Sequence, residues 1–311
     1  MQRIKKPVHG SLEWLMVRHR DELGKVTFGA SEAGALMNVS PYQTLMDLCF
    51  AKLEPPVLRD PSQAMRKGII FEDALGKEAG EVLGIALYQP EEMFRKGRFT
   101  ATLDFWDDKE KLIVECKVTN QYSITTGQDL PLAWMLQGHV QHWITGAEVW
   151  FSVFDKFQQL SVVRMPVVNE YLDQLIAQSE MVGESLDKGI IPDEAWAVAT
   201  AEQIASVFPA NPDEVIECDD HLLSLVQRLA TVKQNIKRDE EEEKLLKAEI
   251  ALAMKSARAI DSNGDMILTW NEQKGRTSLD QTALKQAHPD IYEAFMRQGS
   301  PIRVMRIGKM L

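Results

Sequence analysis

The sequence predicts an α/β domain with a small central mixed sheet flanked by helices, followed by a helical C-terminal extension. Three observations point there. Residues 99–119, FTATLDFWDDKEKLIVECKVT, alternate in polarity as two short strands around a polar turn at Asp107-Asp108-Lys109-Glu110. Helical stretches precede this hairpin, and a crossover helix separates it from two further strands and a closing helix. From Asp219 to Ala259 there is neither proline nor glycine, and Leu222, Val226, Leu229, Ile236, Leu246, Ile250 and Ala253 recur at helical intervals.

Each element has a local reason. Ser11 is placed to cap a short helix, SLEWLMVR, and after the loop DELGKVTFGA the hydroxyl of Ser31 can cap a second, SEAGALM. Pro41 in the turn NVSPYQ separates it from a third, TLMDLCFAKL, which Glu54-Pro55-Pro56 ends. Over residues 62–84 the spacing predicts a helix with Ile70, Ala74, Leu75, Ala79 and Leu83 on its buried stripe and Glu72 beside it. Pro131 opens LAWMLQGHVQHWITG and Gly146 closes it, with Gln137 and Gln141 four apart on one face. AEVWFSVF and QQLSVVRMPV read as strands around a DKF turn, and a helix from Asn169 to Lys188 stops at Gly189. Residues 193–218, with Pro209 and Pro212, read as irregular. This sets the expected boundary between a domain over 1–192 and an extension over 193–311. Within the extension, 219–259 reads as one long amphipathic helix or a helical hairpin broken near RDEEEEK, folding back on the main domain rather than as a coiled coil, since the heptad looks poor. A strand, a loop and a helix over ALKQAHPDIYEAFM make the tail.

The totals narrow the function classes. A 311-residue chain with 45% apolar and 26% charged residues can bury a sizeable core. The start, MQRIKKPVHGSLEW, has charge without the apolar run of a signal peptide, and no stretch approaches the length of a membrane span. Three scattered cysteines, Cys49, Cys116 and Cys218, suggest no disulfide framework, so an intracellular, cytoplasmic chain is expected. A net charge of −11 argues against coating nucleic acid through bulk electrostatics. Residues 1–70, however, hold ten Lys and Arg against seven Asp and Glu, which suits a DNA-facing front half.

Alternation along the second strand of the hairpin points Val114, Cys116 and Val118 one way and Glu115 and Lys117 the other. On the first strand Leu103 and Phe105 take the apolar face and leave Asp104 opposite, with Thr102 and Trp106. Paired strands therefore bring Asp104, Glu115 and Lys117 to one patch. Two carboxylates and an ammonium are costly to bury unless compensated, and a divalent cation with a phosphate ligand would compensate them. The plain alternative is a solvated strand face with a cross-strand ion pair. His139 and His142 lack acidic or thiolate partners nearby, which argues against zinc.

The D-x10-E-x-K layout resembles the core of the PD-(D/E)xK nuclease superfamily, and further segments narrow the likeness. The chain resembles YqaJ-type viral recombinases, the group that includes lambda-type phage exonucleases. The matching pieces are W-x3-R at Trp14 to Arg18, F-G-A-S-E-A at Phe28 to Ala33, S-P-Y at Ser40 to Tyr42 and G-I-I-F-E-D-A-L at Gly68 to Leu75. To these are added L-D and E-C-K of the hairpin, L-P-x-A-W-x2-Q-x3-Q from Leu130 to Gln141, and the tail from Trp270 to Arg306. The resemblance implies a restriction-endonuclease-like core and hydrolysis of linear double-stranded DNA, 5′ to 3′, leaving 3′ overhangs for a single-strand annealing partner. It also implies a homo-oligomer, a trimeric ring in compact relatives.

By position, the resemblance makes Asp104, Glu115, the Cys116 backbone carbonyl and Glu72 ligands of Mg²⁺ or Mn²⁺. Lys117 then orients the attacking water or stabilises charge on the phosphate, and Gln137, with Gln141 less surely, holds the nucleophile or the DNA backbone. Arg18 and Ser31 match positions that recognise a terminal 5′ phosphate. The spacer between them is longer than in compact relatives, so Arg20 or Lys25 stands as a substitute for Arg18. Each role has a plainer competitor: Glu72 as an exposed helix residue, Gln137 and Gln141 as polar surface, Ser31 as a helix cap. Two other functions stay open on sequence, a structure-specific or nicking endonuclease of the same fold and a non-catalytic DNA-binding module.

Overall fold

The computed structural model has the α/β fold expected, mixed sheets flanked by helices with a helical C-terminal region, and among the described residues its main pairing is divided between two four-stranded sheets. The structure describes residues 1–311 except 59, 298, 300, 301 and 309–311. It forms two units, Met1–Thr200 and Ala201–Leu311.

In the first unit the elements run β1 (Gln2–Lys5), α1 (Leu12–His19), β2 (Phe28–Gly29), a 3₁₀ turn (Ala30–Glu32) leading into α2 (Ala33–Leu36), α3 (Leu45–Leu53) and α4 (Gln63–Leu83). They continue with β3 (Glu92–Lys96), β4 (Phe99–Ala101), β5 (Phe105–Asp107), β6 (Leu112–Val118), α5 (Leu132–Thr145), β7 (Glu148–Phe154), β8 (Leu160–Arg164), α6 (Asn169–Asp187) and α7 (Asp193–Trp196). One sheet has the order β1-β3-β4-β2 and the other β5-β6-β7-β8. The second is mixed: β6 lies parallel to β7 across the α5 crossover, while β5 and β8 are antiparallel to their neighbours.

The first strand of the expected hairpin is therefore two strands in two sheets. β4 ends at Ala101, β5 starts at Phe105, and Asp104 sits in the bend between them. Trp106 does not share the polar patch; it is buried, stacked on Phe94 and paired in register with Ile113. Both faces of β6 are covered. Val114 packs with Phe105 and Ala79 of α4, and Ile113 joins the main core, whose buried residues include Val140 and Ile144 of α5.

Helix α4 departs from its predicted stripe. Leu75, Gly76 and Ala79 are buried, but Ile70 is 74% exposed and Ala74 is exposed, because the packed face runs one residue further on, through Phe71, which stacks on Phe154 of β7, Leu75 and Ala79. At Gly76 the backbone passes so close to the Phe105 ring that a Cβ would overlap it. Serine and threonine caps form where side-chain oxygens meet free amides: Ser11 accepts from Trp14 N at 3.2 Å and Thr44 from Asp47 N at 3.1 Å. Ser31 is not a cap. It lies inside the 3₁₀ turn, where the Glu32 carboxylate returns to the Gly29 amide at 2.6 Å. Residues 193–200 belong to the first unit, since α7 buries Ala195 in its core.

The second unit holds α8 (Ala201–Val207), α9 (Asp220–Met254), β9 (Ala259–Ser262), β10 (Asp265–Thr269), α10 (Gln281–Ala287) and α11 (Pro289–Phe295). The segment 193–218 is thus not wholly irregular. The long stretch is one uninterrupted helix that ends before 259, and residues 259–262 pair with β10 as an antiparallel hairpin. The tail helix breaks in two at Pro289, which cannot donate to the preceding turn and opens α11. Among the described residues no helix is long and apolar enough to cross a membrane.

Gly76→Ala should destabilise the first unit by about 1–3 kcal/mol, because overlap with Phe105 outweighs the gain in helix propensity. Chemical denaturation of the two proteins measures it, and a variant as stable as the parent would contradict the packing described.

Candidate active site

Strand β6 and helix α5 face each other, and their polar residues meet between them. Glu115, 4% exposed, accepts from Lys117 Nζ at 2.8 Å and from Gln137 Nε2 at 2.6 Å through Oε1, and from Gln141 Nε2 at 2.6 Å through Oε2. Lys117 Nζ also donates to Gln137 Oε1 at 3.0 Å. The spacing makes this possible. Glu115 and Lys117 are two apart on a strand, and Gln137 and Gln141 are four apart on a helix, so each pair presents one face. Asp104, in the bend before β5, turns its Oδ2 to the backbone N–H of Cys116 at 2.9 Å. The three hairpin residues are therefore brought together, although the strand expected to carry Asp104 is interrupted there.

Burial pushes the Asp104 carboxyl well above the usual carboxylate range, and the charge of Glu115 pushes it further, with Lys117 opposing. Burial works against the Lys117 ammonium, but Glu115 and Asp104 outweigh it and hold its pKa above the ordinary lysine value. Glu72 is also raised, by partial burial first and then by Glu115; its Oε1 accepts from Gln89 Nε2 at 3.1 Å. Burial raises the Cys116 thiol, which donates to the Glu72 carbonyl at 3.7 Å.

A cleft of about 250 Å³ is lined by Asp104, Glu115, Lys117 and Gln137, and also by Arg18, Ser31, His9, Trp14 and Thr102. Arg18 Nη2 donates to Ser31 Oγ at 2.8 Å, and its guanidinium lies 4.2 Å from the Trp14 ring centroid. Trp14 stacks on His9 at 4.6 Å and donates from Nε1 to Thr102 Oγ1 at 3.2 Å. Beneath this pair lies a buried strut that the sequence reading missed. Lys52, 3% exposed, reaches Glu32 Oε2 at 2.8 Å and the Arg18 carbonyl at 3.1 Å. Burial opposes ionisation of Glu32, but the Lys52 ammonium and then Arg18 outweigh it, so its carboxyl stays below the usual range. At Gly29 a Cβ would overlap the Arg18 guanidinium, so a larger residue there would displace that side chain from its present path.

The other expected site residues fall in different surroundings. Arg20 donates to the carbonyls of Gly24 and Lys52, and Lys25 is exposed and does not line the cleft; Arg18 is the cation beside Ser31. The longer spacer leaves that pair intact because residues 20–26 close on themselves, through an Arg20–Val26 bridge and two amides donated to Asp21. Gln141 is fully buried behind Glu115 and donates to its Oε2. Glu72 does not line the cleft. His139 is structural, bonded to the Met135 carbonyl and the Val168 amide. Trp14 and Arg18, four apart on α1, carried the one signal by which the ring under the guanidinium could have been foreseen.

Among the described residues no three His, Cys, Asp or Glu side chains are arranged as a metal cage. The cleft instead offers two carboxylates, Asp104 and Glu115, whose desolvated charges oppose each other. An oxygen-only donor set of this size suits a hard cation that keeps several waters and shares a phosphate, as Mg²⁺ does.

Asp104 also sets a pH dependence. Its raised folded pKa means that the native state holds the proton longer than the unfolded chain. Stability therefore falls as pH rises from about 3.9 through the folded value. In chelator-containing buffer at neutral pH, Asp104→Asn should raise Tm by about 2–4 °C, and this rise should vanish at low pH. Thermal melts across pH check both points.

No family model matches the chain. It is 24% identical over 302 residues to the uncharacterized protein YqaJ of Bacillus subtilis strain 168, covering 92% of this chain and 91% of that one. Among solved structures it is similar to a phage-related exonuclease from Haemophilus somnus 129PT, at 14% identity and a TM-score of 0.43 over 53% of this chain and 96% of that one. It is also similar to the alkaline exonuclease LHK-Exo from Laribacter hongkongensis, at 14% identity and a TM-score of 0.45 over 63% of this chain and all of that one. The sequence likeness to YqaJ thus extends along nearly the whole of both chains.

Proposed function

We propose that the chain is a Mg²⁺- or Mn²⁺-dependent deoxyribonuclease that digests linear double-stranded DNA from a 5′ end. The observation that carries this reading is one cleft that holds both a carboxylate–lysine cluster and an arginine–serine pair. The first is suited to hydrolysis of a phosphodiester, the second to grip of a terminal phosphate. The motif resemblance supports it, and the likeness to YqaJ along nearly the whole chain supports that resemblance.

Asp104 and Glu115 would hold the cation, with the Cys116 carbonyl beside them and Glu72 acting from further off. The bound ion supplies Lewis acidity toward the phosphate and lowers the pKa of a water. Lys117, kept protonated by its two acidic neighbours, faces the charge that grows on the phosphate oxygens. Gln137 keeps the Glu115 carboxylate and the Lys117 ammonium in register, and Gln141 closes the buried side. The water oxygen bonds to phosphorus, the bond from phosphorus to O3′ breaks, and a proton ends on that O3′. A nucleotide leaves with a 3′ hydroxyl and the strand is left with a new 5′ phosphate, which Arg18 and Ser31 can take up again. The surviving 3′ strand is what a single-strand annealing partner would bind.

Linear duplexes with 5′ phosphate or 5′ hydroxyl ends and strand-specific labels test the reading, alongside a closed circular plasmid. Loss of the 5′-phosphorylated strand in Mg²⁺, silence in chelator and an intact plasmid are expected; plasmid cutting would favour an endonuclease. Glu115→Ala and Lys117→Ala should each slow digestion by about 10²–10³-fold or more while duplex binding persists. Retained activity in either would sink the assignment. The Lys52–Glu32 strut acts through Arg18 and Ser31, so the matched pair Glu32→Gln/Lys52→Met should raise KM for phosphorylated ends about tenfold. Digestion of 5′-hydroxyl ends should not change, which separates a positioning role from general loss of fold.

A further inference from the structure

Helix α9 leaves a continuous apolar edge bare. Leu225, Leu229, Val232 and Ile236 are all exposed and Leu222 is half-buried, although every one of them sits on the same side of the helix. Counted through Leu225 and Val232 rather than Val226, the spacing of 3, 4, 3 and 4 residues is the a/d seam of a coiled coil, against the poor heptad first expected, and Leu246, Ile250 and Ala253 resume the same register after Asp239 and Glu243 interrupt it. A second feature lies at the other end of the helix. Between the last turns of α9 and strand β10 runs an apolar groove of about 530 Å³, whose lining includes Ile250, Met254, Leu268 and Trp270.

We infer that α9 pairs antiparallel with α9 of a second copy of this chain, so that Leu222 and Leu225 of each copy seat at the other's groove. Charge decides the direction. In a parallel, in-register pair Arg228 would face the partner's Lys233, and Glu243 would meet the partner's Glu243 in the seam. Turned antiparallel about the midpoint between Lys237 and Arg238, the same helix sets Leu225 against the partner's Ile250 and Leu229 against the partner's Leu246. Arg228 then flanks the partner's Glu249, and Lys233 flanks the partner's Glu240. The two Glu243 side chains are eleven residues apart along the pair, about 16 Å at 1.5 Å per residue. The contact is isologous, so each favourable pairing occurs twice. Asp239, next to the two-fold axis, is the polar position that resists sliding of the register.

Light scattering and sedimentation on the full chain test this. A particle of twice the 35.2 kDa chain mass is expected, and Leu229→Asp should make it a monomer with unchanged helical circular dichroism. Arg228→Glu, a surface change that the fold tolerates, should weaken the dimer about tenfold, and adding Glu249→Arg should restore it. A chain that stays monomeric at every concentration reached would overturn the inference, as would a trimer indifferent to Leu229→Asp. Tighter association of Arg228→Glu would show parallel helices and overturn it as well. If Leu229→Asp fails to fold, the charge-reversal pair decides alone.

Discussion

A buried carboxylate held by one ammonium and two amides organises the first unit. Glu115 lies between β6 and α5, where an unmatched charge would be very costly, and its two oxygens take three donors from Lys117, Gln137 and Gln141. Because two of those donors are a helical turn apart, α5 can sit over the sheet in only one register and rotation. The crossover between β6 and β7 is thereby fixed by polar contacts as well as by the apolar packing of Val140 and Ile144. The cleft inherits its shape from that fit.

The same cluster shows where activity and stability pull apart. Asp104 gains one hydrogen bond from the Cys116 amide, yet burial and the neighbouring Glu115 both disfavour its charge. A side chain kept in such a place contributes little to the fold. Its value lies in what the paired carboxylates can bind, which is the usual arrangement where function is placed against folding energy.

Much of this site was legible in the sequence because strand alternation and the helical i, i+4 rule are local. Glu115 and Lys117 on one face, and Gln137 and Gln141 on another, needed no tertiary information. The rest was hidden for physical reasons. Alternation runs unbroken through Thr102, Leu103 and Asp104, so nothing marks the point at which the chain leaves one sheet for the other. β1 and β3, QRIK and EMFRK, have no clear alternation to mark them as strands, and Arg95 is buried with Glu22 and the Val17 carbonyl, partners more than seventy residues away. Lys52, near the end of α3, has the look of a solvated helix terminus and is instead enclosed with Glu32. The stripe of α4 failed differently: its period was right but its phase was one residue off, since the packed face runs through Phe71, Leu75 and Ala79 and leaves Ile70 and Ala74 outside it.

The self-closed loop over residues 20–26 has a consequence for how this architecture tolerates change. Its bridge and its two amides to Asp21 seal its base, and the separation of Arg18 from Ser31 is set by the Lys52 strut across the fold, not by the intervening chain. Residues can therefore be gained or lost at the tip without disturbing the paired side chains. Contour length and function are uncoupled at this point, and a count of residues between two such groups says little about whether they touch.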